Sequence, residues 1–185
     1  MFRDLIKKIA AELARRNIPY MIIEGQAVLL YGEPRLTRDI DVTLGLGIDG
    51  LEKITEAVKA LGLAIQVANV EDFVGKTMVL PTLDGRSGIR VDFISSFSAY
   101  ERQAIERAKE VKFDSTPVRF ASLEDVVIHK VVAGRARDIE DVVTVLLKNP
   151  GYDKKYIQDW LADFDRSLGG NHLPAFEEII SNLRA

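Results

Sequence analysis

One stretch sets the terms for the whole chain: Ile22-Ile23-Glu24-Gly25-Gln26-Ala27-Val28-Leu29-Leu30-Tyr31-Gly32-Glu33-Pro34-Arg35-Leu36-Thr37-Arg38-Asp39-Ile40-Asp41-Val42-Thr43. A short apolar strand, residues 20 to 23, runs into Gly25, which permits a tight exit. Residues 26 to 31 suit a short helix ended by Gly32, and Glu33-Pro34 makes a turn. A second strand, residues 37 to 44, then carries Asp39 and Asp41. Side chains alternate along a strand, so the two carboxylates share a face while Ile40 and Val42 point into a core. Carboxylates with backbones about 7 Å apart repel each other unless a cation sits between them. The pair is the seed of a metal site.

The elements around this stretch follow from spacing. Phe2, Leu5, Ile6, Ile9 and Leu13 recur at helical intervals, and Asn17-Ile18-Pro19 ends that helix. Asp49 is expected to cap a helix over residues 50 to 61. Residues 77 to 83 and 89 to 94 read as two strands around Asp84-Gly85-Arg86-Ser87-Gly88, a hairpin signal. A helix over 100 to 108 and a short strand over 118 to 121 come next. Ser122-Leu123-Glu124-Asp125 opens a helix to about residue 133 by a capping-box pattern, with Asp125 in the place of Glu or Gln. After Gly134 a helix spans 138 to 147, ended by Asn149-Pro150-Gly151. Two more helices follow, one with Tyr156, Ile157, Trp160, Leu161 and Phe164 and one over 173 to 183. Strands and helices mix first and helices alone come last, which predicts an α+β fold. Its mixed β-sheet would be flanked by helices and carry a helical C-terminal layer. The division is an α/β core over 1–115 and a helical part over 116–185, packed as one compact domain.

At 185 residues the chain can bury a real core. Its net charge of −3 gives no global pull towards nucleic acid or anionic lipid. No cysteine is present, which excludes disulfides and thiol catalysis. The N-terminus interleaves charges with apolar residues, and no apolar run approaches the about 20 residues a membrane helix needs. The expectation is a cytoplasmic protein with no membrane partner.

A third acid, Asp92, lies in the strand Ile89-Arg90-Val91-Asp92-Phe93-Ile94 among apolar neighbours. Three aspartates from neighbouring strands make a ligand set for Mg²⁺, or Mn²⁺, which favour oxygen donors and leave room for phosphates. Asp39 and Asp41 would be the shared ligands, and Asp92 would add one and help accept a proton. Solvated acids at a strand end are the competing reading of any single Asp-x-Asp. His129 and His172 lack the spacing of a zinc site. Tyr156, Trp160 and Phe164 at helical spacing suggest core more than a base-stacking platform.

The whole arrangement resembles the minimal nucleotidyltransferases of the polymerase-β-like superfamily. It looks closest to the stand-alone bacterial and archaeal branch that includes the abortive-infection-type toxins. That branch reads roughly Gly-Gly-x-Ala, a short helix ending in Gly, then Arg-x-Thr-x-Asp-Ile-Asp. This chain offers Glu24-Gly25-Gln26-Ala27, Gly32, and Arg35-Leu36-Thr37-Arg38-Asp39-Ile40-Asp41. The likeness continues in Leu123 to Lys130 and in Ala133-Gly134-Arg135-Ala136-Arg137-Asp138-Ile139-Glu140-Asp141, where relatives carry a Lys on one helix and Arg-Asp-x-x-Asp at the entry to the next. The last forty or so residues lie beyond these motifs.

The resemblance implies Mg²⁺-dependent transfer of a nucleoside monophosphate from an NTP to an acceptor hydroxyl of RNA, protein or a small molecule, with release of pyrophosphate. It casts Asp39, Asp41 and Asp92 as metal ligands and catalytic acids. Gly25 and Gln26 would cradle the triphosphate at a helix N-terminus. Lys130 would balance phosphate charge and Asp138 would position Lys130 or the substrate. Arg35 and Thr37 would meet phosphate or the acids. Asp141 reads more simply as an acid favoured by its helix N-terminus. Glu24 stands where the family has the first Gly of a pair. The alternative is therefore a catalytically decayed relative that binds a nucleotide or a small partner protein, as half of a toxin–antitoxin pair.

Overall fold

A computed structural model of the chain describes residues 1–34, 37–96 and 98–183. It divides into one unit of Met1–Gln26 with Leu36–Ala121 and another of Ala27–Arg35 with Ser122–Ala185. In the first unit the amphipathic opening forms α1, Phe2–Arg15, which buries Leu5, Ile6, Ile9, Ala10 and Leu13. The fully apolar run after Pro19 becomes β1, Tyr20–Ile23, buried at every position. A helix, α2, Glu24–Tyr31, begins on the next residue. The alternating run becomes β2, Asp39–Leu44, with Ile40, Val42 and Leu44 completely buried.

A 3-10 turn over Ile48–Gly50 leads into α3, Leu51–Leu61. The expected cap at Asp49 is not made: Gly50 is the capping residue and has no side chain to cap with. Two elements that the sequence did not suggest follow, β3, Ala64–Ile65, and α4, Val70–Thr77, whose Asn69 side chain accepts from the backbone of Asp72. The expected hairpin is β4, Val79–Asp84, with β5, Ile89–Ser95, paired antiparallel. The helix α5, Ala99–Arg107, starts from a full capping box of Ser98 and Glu101. The single short strand expected near 118 is one arm of a hairpin, β6, Lys109–Phe113, with β7, Thr116–Phe120.

These seven strands form one mixed sheet in the order β3-β4-β5-β2-β1-β7-β6. Here β2 runs parallel to β5 and β1 parallel to β7, while β1 and β2 are antiparallel. The acid-bearing strands are therefore interior, where main-chain pairing on both sides holds their register. The β6 edge carries exposed Lys109, Glu110 and Lys112, charges that discourage pairing with another chain.

The second unit holds most of α2 with α6, Leu123–Ala133, α7, Ala136–Lys148, α8, Lys154–Leu168, and α9, His172–Asn182. Ser122 caps α6 as expected, accepting from Asp125 N–H and donating 2.6 Å to the Asp125 carboxylate. The Tyr156 hydroxyl donates to the same carboxylate at 3.0 Å. Helix α8 buries Ile157 and Leu161, whereas Trp160 and Phe164 are half-buried and tilt against each other at 6.2 Å. The expected aromatic core is thus a rim, because the buried stripe of α8 falls on the aliphatic positions beside it. A Cβ at Gly32 would lie 3.1 Å from Val145 and 3.2 Å from Thr144, so the end of α2 needs glycine to approach α7. No helix of the described residues is long and apolar enough to cross a membrane.

Candidate active site

Asp41 in β2 pairs with Ile23 of β1 on one side and with Asp92 of β5 on the other, and Asp39 pairs with Arg90. Residues in register on neighbouring strands share a face, as do residues two apart on one strand. Asp39, Asp41, Arg90 and Asp92 therefore lie on the same face of the sheet. Asp39 is exposed, and Asp41 and Asp92 are half-buried.

The acids disturb one another. Burial, then the charges of Asp39, Glu24 and Asp92, push the Asp41 carboxyl up to about 7, with Arg90 opposing weakly. Burial also raises Asp92, and the nearby Arg90 guanidinium does not fully offset it. One oxygen of Asp92 accepts from Arg90 at 2.8 Å, while the other, Oδ1, is buried with no hydrogen-bond partner among the described residues. A buried carboxylate oxygen without a donor and a carboxyl crowded to near neutrality are deficits that a divalent cation removes. The three aspartates fit such a cation by donor type and by face. Among the described residues no three of His, Cys, Asp and Glu are already drawn together at ligating distance.

Above about pH 4 the unfolded chain has released the Asp41 proton and the folded chain still holds it. Stability of the metal-free protein is therefore expected to fall as pH rises from about 4 to about 7. At about 1.4 kcal/mol per unit of pKa, the loss from this group approaches about 4 kcal/mol at its limit. Urea unfolding in chelator across that window checks it, and a contribution from Asp41 is excluded if the Asp41→Asn variant shows the same slope as the wild type.

Glu24 opens α2 with φ +53°, the left-handed region that costs an L-residue about 1 kcal/mol or more and glycine almost nothing. A glycine at this place would take the same conformation without that cost. Glu24→Gly is expected to stabilise the fold by about 1 kcal/mol and to lower the Asp41 pKa, read by denaturant titration and by carboxyl NMR. Gly25 and Gln26 follow in the first turn of α2, where backbone N–H groups have no acceptor within the helix and favour anions. The Gln26 amide nitrogen donates 2.6 Å to Thr37 Oγ1, both residues buried, which ties the helix start to the approach of β2. Arg35 lies outside the described residues.

In the second unit Lys130 is 1% exposed, a burial no lysine sustains without anions. Its ammonium lies 2.7 Å from Asp138 and 3.3 Å from Asp141. Burial raises Asp138, but hydrogen bonds from Arg135 and Lys130 outweigh it and hold the carboxyl below the usual range. Asp141, expected only to favour its helix terminus, is a second partner of Lys130. His172 Nδ1 donates to Asp165 at 2.7 Å, and neither histidine joins a metal-binding group among the described residues.

A mixed sheet with acids on the two adjacent parallel strands, a helix starting directly after the neighbouring strand, and a helical second unit define a minimal nucleotidyltransferase of the polymerase-β-like type. Solved structures share the fold at low identity. The structure of ANT(2'')-Ia in complex with adenylyl-2''-tobramycin is 20% identical, covering 89% of this chain and 97% of that one, with a TM-score of 0.59. A nucleotidyltransferase-like antigenic protein from Paracoccidioides brasiliensis is 17% identical over 94% and 92%, with a TM-score of 0.56. The lincosamide antibiotic adenylyltransferase LnuA, lincomycin-bound, is 14% identical over 72% and 89%, with a TM-score of 0.50. No curated protein sequence matches the chain. The family model described as nucleotidyl transferase AbiEii toxin, type IV toxin–antitoxin system, matches residues 27–180, and the chain belongs to that family. It is a nucleotidyltransferase, and the match takes in Asp39, Asp41, Asp92, Lys130 and Asp138.

Proposed function

We propose that the chain transfers a nucleoside monophosphate from an NTP to an acceptor hydroxyl, with Asp39, Asp41 and Asp92 holding Mg²⁺ or Mn²⁺. The single observation carrying this is the β2–β5 register, which brings the three acids to one sheet face with a buried Asp92 oxygen lacking a donor among the described residues. A divalent cation at such carboxylates supplies charge neutralisation for the phosphates and a more acidic attacking hydroxyl. The acceptor oxygen forms a bond to the α-phosphorus, the bond to the β-phosphate oxygen breaks, and pyrophosphate leaves with the electron pair. Asp92, whose pKa is raised, is suited to take the hydroxyl proton. The Gly25 and Gln26 N–H groups receive the polyphosphate, and Thr37 keeps Gln26 in place. Arg35 is retained as a phosphate partner, and the part of Lys130, held by Asp138, rests on the sequence resemblance. RNA, a protein and a small molecule all present suitable hydroxyls.

The test is incubation with each α-labelled NTP, Mg²⁺ or Mn²⁺, and total RNA or lysate. Label should move from one NTP to an acceptor, and transfer from none of them sinks the proposal. The family description supports an antitoxin partner as well. Glu24 favours a second reading, a relative that binds nucleotide without turning it over. Calorimetry with ATP and Mg²⁺ separates the two, since heat of binding without pyrophosphate release supports the second.

A further inference from the structure

We propose that Arg90 is a resident counter-cation of the carboxylate site, whose guanidinium pairs with Asp92 and competes with a divalent cation for that site. The inference rests on the cation-site reading above and adds a residue to it. Arg90 is two positions from Asp92 on β5 and directly opposite Asp39 on β2, so its side chain rises on the same face as the three acids. Its Nη2 donates 2.8 Å to Asp92 Oδ2, so that a guanidinium already neutralises part of this carboxylate's charge. Among the described residues the acids are not gathered at ligating distance, and the Asp92 ion pair is one visible reason.

The pair is built to be given up. The Arg90 side chain is 59% exposed, against 15% for Asp92, so the guanidinium can swing into water while the carboxylate stays on the sheet. An ion pair with one partner in solvent is weak, and a divalent cation at three carboxylates outcompetes a single guanidinium on charge alone. Among the described residues Arg90 bonds one oxygen of Asp92 and leaves Oδ1 without a donor, so the face still has room for a further cation. Such a placeholder keeps the metal-free face from spreading its acids apart, and it also competes with the metal.

The experiment is calorimetric titration of Mn²⁺, without nucleotide, into the wild-type chain, Arg90→Gln and Arg38→Gln. Arg38 is exposed and adjacent to Asp39, so it controls for the loss of one positive charge. Arg90→Gln should bind Mn²⁺ about two- to fivefold more tightly, the scale of one exposed ion pair removed as competitor, and Arg38→Gln should leave affinity close to wild type. Equal tightening in both variants reduces the effect to net charge and overturns the proposal. So does unchanged or weaker binding in Arg90→Gln when the wild type binds, an outcome that leaves the proposed function standing. Absence of Mn²⁺ binding in all three proteins overturns the cation site itself and the role of Arg90 with it.

Discussion

Replacing Asp41 with Asn is expected to abolish nucleotidyl transfer and, in the same protein, to raise metal-free stability above neutral pH. The two effects have one cause. Asp41 stands between Ile23 and Asp92 in the middle of the sheet, and burial with three neighbouring acids pushes its carboxyl up to about 7. Its charge is unfavourable in the metal-free fold, and the proposed function needs it once a cation and nucleotide bind. Losing a ligand that neutralises phosphate charge removes several kcal/mol of transition-state stabilisation, about a thousandfold or more in kcat. Removing the same crowded charge should stabilise the metal-free chain by up to about 4 kcal/mol at pH above 7, and the gain should vanish below about pH 4, where the group is protonated in the folded and the unfolded chain alike. Urea unfolding in chelator and a pyrophosphate-release assay read the two arms. A variant that is active, or one that is inactive and less stable at high pH, contradicts the assignment.

The second large effect belongs to Lys130. A buried ammonium between Asp138 and Asp141 is costly to bring out of water, and costlier still to leave half-made. Lys130→Met fits the space but takes the ammonium from both carboxylates, while Asp138 keeps Arg135. The expected loss is about 3–5 kcal/mol, seen as a shifted urea midpoint by circular dichroism. Adding Asp138→Asn and Asp141→Asn to Lys130→Met should recover much of it, since the buried negative charges go with the positive one. A loss below about 1 kcal/mol would mean that the cluster behaves like a surface ion pair.

Much of this was legible in the chain because strong local patterns and tertiary packing agree. The alternation Asp39-Ile40-Asp41-Val42 needs one face buried and one face open, and β2 provides both. Ser122 and Asp125 announced α6 because a capping hydroxyl has few other uses before an apolar run. Asp92 was found because a lone acid in Val-Asp-Phe is expensive in a sheet interior without a purpose. What stayed hidden depended on partners distant in sequence or on backbone angles. Lys109-Glu110-Val111-Lys112 looks like loop until β7 pairs with it as an edge. The short β3 and α4 had only Asn69-x-x-Asp72 as a cue. Asp141 found Lys130 only through the packing of α6 on α7. Arg90 had a signal, Arg-x-Asp on one strand face, but its meaning required the register that sets it opposite Asp39. The left-handed turn at Glu24, a conformation glycine takes without that cost, is a backbone angle that sequence alone does not give.

The most direct measurement is the anomalous scattering of Mn²⁺ in crystals of the chain soaked with Mn²⁺ and a non-hydrolysable NTP analogue. The account predicts a peak within about 2.2 Å of oxygens from Asp39, Asp41 and Asp92, with the polyphosphate at the Gly25 and Gln26 N–H groups and Arg90 turned away from Asp92. A cation bound elsewhere, or a nucleotide seated away from β2 and β5 with the Arg90–Asp92 pair intact, would contradict it.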